Sequence, residues 1–107
     1  MEQFEHISVD DAKRLINEQG AVLADIRDDS AYQQSHVPGA IHLTNQSLMA
    51  LLEEVAPETP VIVMCYHGIS SQSAAQYLLQ QGLDAVYSLD GGYEAWVKQA
   101  DSNDEKR

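Results

Sequence analysis

Cysteine occurs once in these 107 residues, at Cys65. A single cysteine excludes an internal disulfide and any multi-cysteine metal site. It also leaves no second thiol in the chain to resolve a modified Cys65. Basic residues are scarce as well: six Lys and Arg stand against 17 Asp and Glu, for a formal net charge of -11. That balance argues against nucleic acid and anionic membrane surfaces as partners. The bases are Lys13, Arg14, Arg27, Lys98, Lys106 and Arg107, so the chain from Asp28 to Val97 has none. No apolar run approaches membrane-spanning length. The stretch Met1–His6 lacks the basic region and apolar core of a signal peptide. No repeat, low-complexity tract or linker is visible. The expectation is one soluble, cytoplasmic domain, long enough to bury a single sheet and a few helices.

What is present centres on Val61-Ile62-Val63-Met64-Cys65-Tyr66-His67-Gly68-Ile69-Ser70-Ser71. Four apolar, mostly β-branched residues run into the cysteine, and a short loop with one glycine follows. Ala74, Ala75, Leu78 and Leu79 then recur at helical spacing. The pattern predicts strand, tight loop and helix, with Cys65 at the strand's carboxyl end. An unbroken apolar strand fits a parallel sheet covered on both faces, and open α/β sheets bind ligands at such ends. Unpaired N–H groups in the loop and at the helix start form a cradle that favours thiolate over thiol. With no base from Asp28 to Val97, an anion held there relies on those amides unless the fold brings a distant base near. Position alone leaves Cys65 open between a reactive thiol and a small buried hydrophobe.

The rest of the chain alternates in the same way. Gln3–Ile7 reads as a short strand, and Ser8 as the cap of a helix with Val9, Ala12, Leu15 and Ile16 on one face. Ala21–Asp25 is a second buried strand. Asp25 and Arg27 stand two apart at its end, either solvated or as a partly buried pair that orients the loop. Asp28–Ser35 reads as a short helix or turn, Pro38-Gly39 as a turn, and Ala40–Leu43 as a brief strand. His36 and His42 lack the Asp, Glu or Cys company of a metal site, so loop packing and hydrogen bonding are the expectation. Asn45 is placed as the cap of a helix carrying Leu48, Leu51, Leu52 and Val55. Ala85–Leu89 is a fifth strand, and Asp90-Gly91-Gly92 a turn without dinucleotide-fingerprint spacing. Tyr93, Trp96, Val97 and Ala100 line a final helix, followed by a polar tail, 101–107. The whole is an α/β domain with a five-stranded, mainly parallel sheet and helices on both faces.

Four patches together resemble one family. Asp25-Ile26-Arg27, His36-Val37-Pro38-Gly39-Ala40-Ile41-His42, Cys65-Tyr66-His67-Gly68-Ile69-Ser70-Ser71 and Asp90-Gly91-Gly92-Tyr93-Glu94-Ala95-Trp96 occur in order across nearly the whole chain. They resemble a single-domain rhodanese over residues 1–100. The Cys-Tyr-His-Gly opening with paired serines at the loop's end most resembles the GlpE-type thiosulfate sulfurtransferases of bacteria. The resemblance implies that Cys65 is the nucleophile and carries a persulfide between two half-reactions. It implies that backbone N–H groups of Tyr66, His67, Gly68, Ile69, Ser70 and Ser71 encircle the sulfur. Asp25, Arg27 and His36 match positions that support the site structurally, and the Gly91-Gly92 patch matches scaffold. No cofactor and no metal are implied.

The implied reaction is thiosulfate:cyanide sulfurtransfer, in which the Cys65 thiolate takes the outer sulfur of thiosulfate and passes it on, with ping-pong kinetics. The acceptor is external: cyanide in the test tube, a thiol or dithiol such as reduced thioredoxin in the cell. Two departures stand out. Many rhodaneses carry Arg or Lys in the active loop where this chain has Tyr66, His67 and Ile69, so thiosulfate is expected to bind weakly. Ser71 is open between donating to the persulfide and capping the helix, a role that Ser70 also fits. The rivals are a phosphatase, which would need an arginine where Ser71 stands, a non-enzymatic protein-binding module, and a persulfide carrier loaded by another protein.

Overall fold

The computed structural model describes residues 2–105. Its centre is β4 (Val61–Met64), in which all four side chains are fully buried. Burying side chains of this size stabilises the fold by roughly 1.5–3 kcal/mol each, and the strand's alternation splits them between two cores. Ile62 and Met64 face a cluster with Leu23, Leu89, Val9 and Ala12. Val61 and Val63 face the other, with Ala24, Leu51, Ala75, Leu78 and Val86.

Five strands form one sheet in the order β1-β5-β4-β2-β3, with β1 at Glu5–Ile7, β2 at Val22–Asp25, β3 at Ile41–His42 and β5 at Val86–Leu89. Every pairing is parallel, so each connection must cross over the sheet. Helices α1 (Val9–Gln19) and α5 (Gly92–Glu105) cover the first core; α3 (Leu48–Glu54) and α4 (Ser70–Gln80) cover the second. A short α2 (Asp29–Gln34) follows β2. The expected architecture is thus present, with a sheet that is parallel throughout.

Local chemistry explains most boundaries. Ser8 accepts from the Asp11 amide at 3.1 Å and starts α1. Asp28 does the same for the Ala31 amide at 2.8 Å and starts α2. Asn45 does not cap α3. That helix begins at Leu48, because Thr44 and Ser47 bond each other first: the Thr44 amide donates to Ser47 Oγ at 2.8 Å, and Ser47 Oγ donates to the His42 carbonyl at 2.8 Å. At the other end of the chain, α5 continues past residue 100 to Glu105, into the segment expected as a polar tail. Of that tail, residues 106 and 107 lie outside the described residues.

Candidate active site

Cys65 follows β4 directly, between the ends of β2 and β5, and is 5% exposed. The loop that leaves it turns back over the sulfur, so the Gly68 amide donates to Sγ at 3.0 Å. Ser71 Oγ lies 3.3 Å from Sγ on the opposite side of the loop. Burial pushes the Cys65 thiol up, but the Ser71 hydroxyl and the amides of Ser71, Gly68 and His67 outweigh it, and the net direction is down. The depression arises from peptide dipoles and a hydroxyl, with no cationic side chain contributing.

Two glycines permit this wrapping. Gly68 sits at φ +92, and a Cβ there would lie 2.7 Å from the Gly91 amide nitrogen and 3.0 Å from the Leu89 carbonyl oxygen. Gly92 opens α5 directly under the loop, where a Cβ would lie 2.4 Å and 2.6 Å from the carbonyl oxygens of Cys65 and Tyr66. This close approach lets Tyr93 and Glu94 donate their amides to those same carbonyls, at 2.8 Å and 3.1 Å. Gly91-Gly92, expected as scaffold, therefore touches the Cys65 peptide itself.

Neither Ser70 nor Ser71 caps α4. Ile69 holds the cap position, and Ser70 is the first helical residue. Ser71 is fully buried, and its hydroxyl pairs with Ser88 Oγ at 2.8 Å. Sγ, Ser71 and Ser88 thus form a buried chain of three polar atoms. Ser88 was invisible as a site residue; its one signal was a lone polar side chain inside the apolar strand Val86–Leu89. His67 is exposed; its Nδ1 lies 3.7 Å from Glu94 Oε2, and its ring meets Tyr66 edge-on at 4.5 Å. Tyr66 and Ile69 are exposed at the rim.

The fold does bring a distant base to the cysteine. A cavity of about 230 Å3 above Cys65 is lined by Ile26, Arg27, Asp28, Ala31, Tyr66 and Ser70. Arg27 is committed elsewhere, however. Its NH2 donates to Asp25 Oδ2 at 2.9 Å and to the Ser35 carbonyl at 2.7 Å, and its guanidinium stacks 3.7 Å over the Tyr93 ring. Asp25 is fully buried and also accepts the Arg27 amide at 2.9 Å. One guanidinium therefore ties β2, the end of α2 and the start of α5 together. Tyr93, which carries the stacked ring, also holds the Cys65 carbonyl.

His36 and His42 meet across one ring. Tyr32 stacks between them at 3.9 Å and 4.3 Å, nearly parallel to both. Its hydroxyl donates to the Ala40 carbonyl at 2.8 Å. His36 Nδ1 lies 2.8 Å from the Tyr32 carbonyl oxygen, and His42 Nε2 lies 2.7 Å from that of Arg27. The stack braces the 27–43 segment that walls the Cys65 cavity.

The arrangement presents a buried thiol with donors aimed at it, beside a small cavity. Chemically it can form a covalent intermediate at sulfur and stabilise charge on a second atom attached there.

Solved structures of similar shape were found. A Thiosulfate sulfurtransferase from Pseudomonas aeruginosa superposes with a TM-score of 0.80 over 92% of this chain, at 22% identity. A Rhodanese-like Domain Protein from Staphylococcus aureus gives 0.74 over 87% of this chain and 91% of its own, at 21% identity. The reduced CoADR-RHD of Bacillus anthracis gives 0.70 over 87%, at 27% identity. This chain spans only 16% of the CoADR-RHD chain and 19% of the Pseudomonas chain. Residues 8–99 match the Rhodanese-like domain family, and the chain belongs to it.

Proposed function

We propose that this protein is a thiosulfate sulfurtransferase of the GlpE type, working through a persulfide on Cys65. The observation that carries the proposal is the sulfur's setting: Sγ at the end of the central strand, 3.0 Å from the Gly68 amide, with its thiol held down by loop donors. The activity named for the Pseudomonas aeruginosa structure of the same fold supports it.

In the first half-reaction the Cys65 thiolate attacks the outer sulfur of thiosulfate. The sulfur–sulfur bond breaks, sulfite leaves with the bonding pair, and Cys65 keeps the sulfur as a persulfide. The His67, Gly68 and Ser71 amides, which already favour the thiolate, serve the negative charge as it moves to the outer sulfur. The remaining amides of Tyr66, Ile69 and Ser70 extend the same cradle. In the second half-reaction an external nucleophile removes that sulfur and Cys65 returns as thiolate. Cyanide serves in the test tube, and a thiol or dithiol such as reduced thioredoxin in the cell. Asp25, Arg27 and His36 act by holding the loop's surroundings, as their contacts suggest.

One observation favours a second route of loading. Asp28 lines the cavity and, among the described residues, no cation pairs with it: Arg27 is paired with Asp25, and Asp28 is met by the Ala31 amide at the start of α2. A dianion is poorly suited to that mouth, so a persulfide delivered by another protein is the competing source of sulfur.

Intact mass before and after thiosulfate, then after cyanide, with thiocyanate measured in the same tubes, tests the proposal. One sulfur gained and then lost, absent in Cys65→Ala, is the expected result. No gain with thiosulfate but a gain from a persulfurated protein donor would make the chain a carrier. No gain from either would leave a binding module.

A further inference from the structure

A groove of about 800 Å3 runs beside the Cys65 cavity, between the 26–29 and 43–46 segments and α4. Ile26, Arg27, Asp28 and Ser70 line both, so the two form one continuous depression. Thiosulfate or cyanide would fill a small corner of it; its volume is that of a site for a drug-sized ligand, room enough for a few side chains of a docked segment.

The groove's chemistry is lopsided. Its full charges are the carboxylates of Asp28 and Asp29 and the guanidinium of Arg27. Arg27 is 5% exposed and neutralised by Asp25, while Asp29 is 81% exposed. The nearest imidazole to Asp29 is His42, at 3.7 Å. The uncompensated charge facing the groove is therefore negative, in a chain whose net charge is -11. Apolar surface gathers on the same side. Of the five large apolar side chains that stand exposed among the described residues, two belong here. Tyr77 lines the groove and Tyr66 lines the Cys65 cavity. An exposed apolar cluster framed by one sign of charge marks a protein-binding surface.

We infer that this groove docks a cysteine-bearing segment of a sulfur-accepting protein, with basic and apolar side chains flanking that cysteine. The inference rests on the persulfide reading of Cys65. The acceptor thiolate attacks the outer sulfur of the Cys65 persulfide. The bond between the two sulfurs breaks, Cys65 leaves as thiolate, and the acceptor carries away the persulfide. No oxidant or reductant is required.

Two synthetic peptides test it, each with one cysteine beside leucine, flanked either by Lys and Arg or by Glu. Each transfer rate from the loaded full-length chain is divided by that peptide's rate with a small-molecule persulfide, which removes the effect of flanking charge on the thiol itself. At about pH 8, where ordinary histidines are neutral, the basic peptide should be faster by about tenfold or more at low ionic strength. The advantage should shrink toward parity in about 0.5 M salt. It should also shrink in Asp29→Lys and in Tyr77→Ser. Equal corrected rates, or an advantage untouched by salt and by both variants, would overturn the inference. Binding of the same peptides to Cys65→Ala, followed by amide NMR shifts, reports docking without chemistry. Preferential binding there, with no sulfur uptake by the wild type, would refute the persulfide and spare the docking surface. Sulfur uptake without preference would refute the docking surface alone.

Discussion

The Tyr93 amide donates to the carbonyl oxygen of Cys65 at 2.8 Å, so α5 grips the peptide that carries the buried thiol. With its carbonyls drawn toward α5, the loop leaves its N–H groups for the sulfur. Gly92 makes the grip possible by having no side chain. In Gly92→Ala the new methyl would meet the Cys65 and Tyr66 carbonyl oxygens at 2.4 Å and 2.6 Å, and both are backbone. We expect sulfur transfer to fall by about a hundredfold, since displacements near 1 Å at a reacting centre cost that much. Steady-state thiocyanate formation checks it; undiminished turnover would show that the grip does not position the sulfur.

Gly68 makes the complementary contact, loop against the 89–91 turn. Gly68→Val forces a β-branched side chain into positive φ and against two backbone atoms. The strain lies in the loop, so circular dichroism should retain the native fold while transfer is lost. Normal transfer in a folded variant would contradict the close packing of the cradle.

The polar chain from Cys65 through Ser71 to Ser88 has a directional reading. For Ser71 to donate to the thiolate, Ser88 must donate to Ser71, and each hydrogen bond then strengthens the next. Removing Ser71 with alanine should raise the thiol pKa toward or above the free-cysteine value of about 8.5. Ser88→Ala should raise it less, and Ser88→Thr should restore it. Thiolate ultraviolet absorbance against pH measures all three. The sign for stability follows the same direction. A thiol depressed in the folded state adds stability above its unfolded pKa, and that stability is lost as pH falls through the folded value. An unshifted titration in Ser71→Ala would leave the amides as the sole cause.

Arg27 and Asp25 are both buried, and removing one partner strands the other. Arg27→Met should destabilise the protein by about 3–5 kcal/mol, while adding Asp25→Asn should recover much of that loss. Urea unfolding of both variants measures it. Equal stability of the single and double variants would mean that Asp25 finds another partner or becomes protonated.

The parts of this fold legible in the sequence are those fixed by local pattern. Val61–Met64 announced itself by an unbroken apolar run, and Ser8 by its spacing to Asp11 and a periodic face. The family resemblance also identified the patches in which Asp25, Arg27, Cys65 and Gly92 lie. Contacts decided by distant partners were not legible. Ser71 resembles a cap until Ser88 is seen beside it. Asn45 resembles a cap until Thr44 and Ser47 are found bonded to each other. The long stretch without a base left any cation at the cysteine to be brought there by the fold. The fold places Arg27 there and then neutralises it with Asp25, so geometry and charge gave different answers.

The sheet order carries a consequence for synthesis. β1 pairs only with β5, and the Cys65 loop waits for donors supplied by Tyr93 and Glu94. A ribosome delivers those residues well after Cys65 itself, and contacts so distant in sequence are slow to close. Chains stalled before residue 90 should therefore alkylate at Cys65 like an ordinary cysteine. The sulfur acquires its character only once α5 has been made and has docked, after an interval in which a nascent chain is open to unwanted partners.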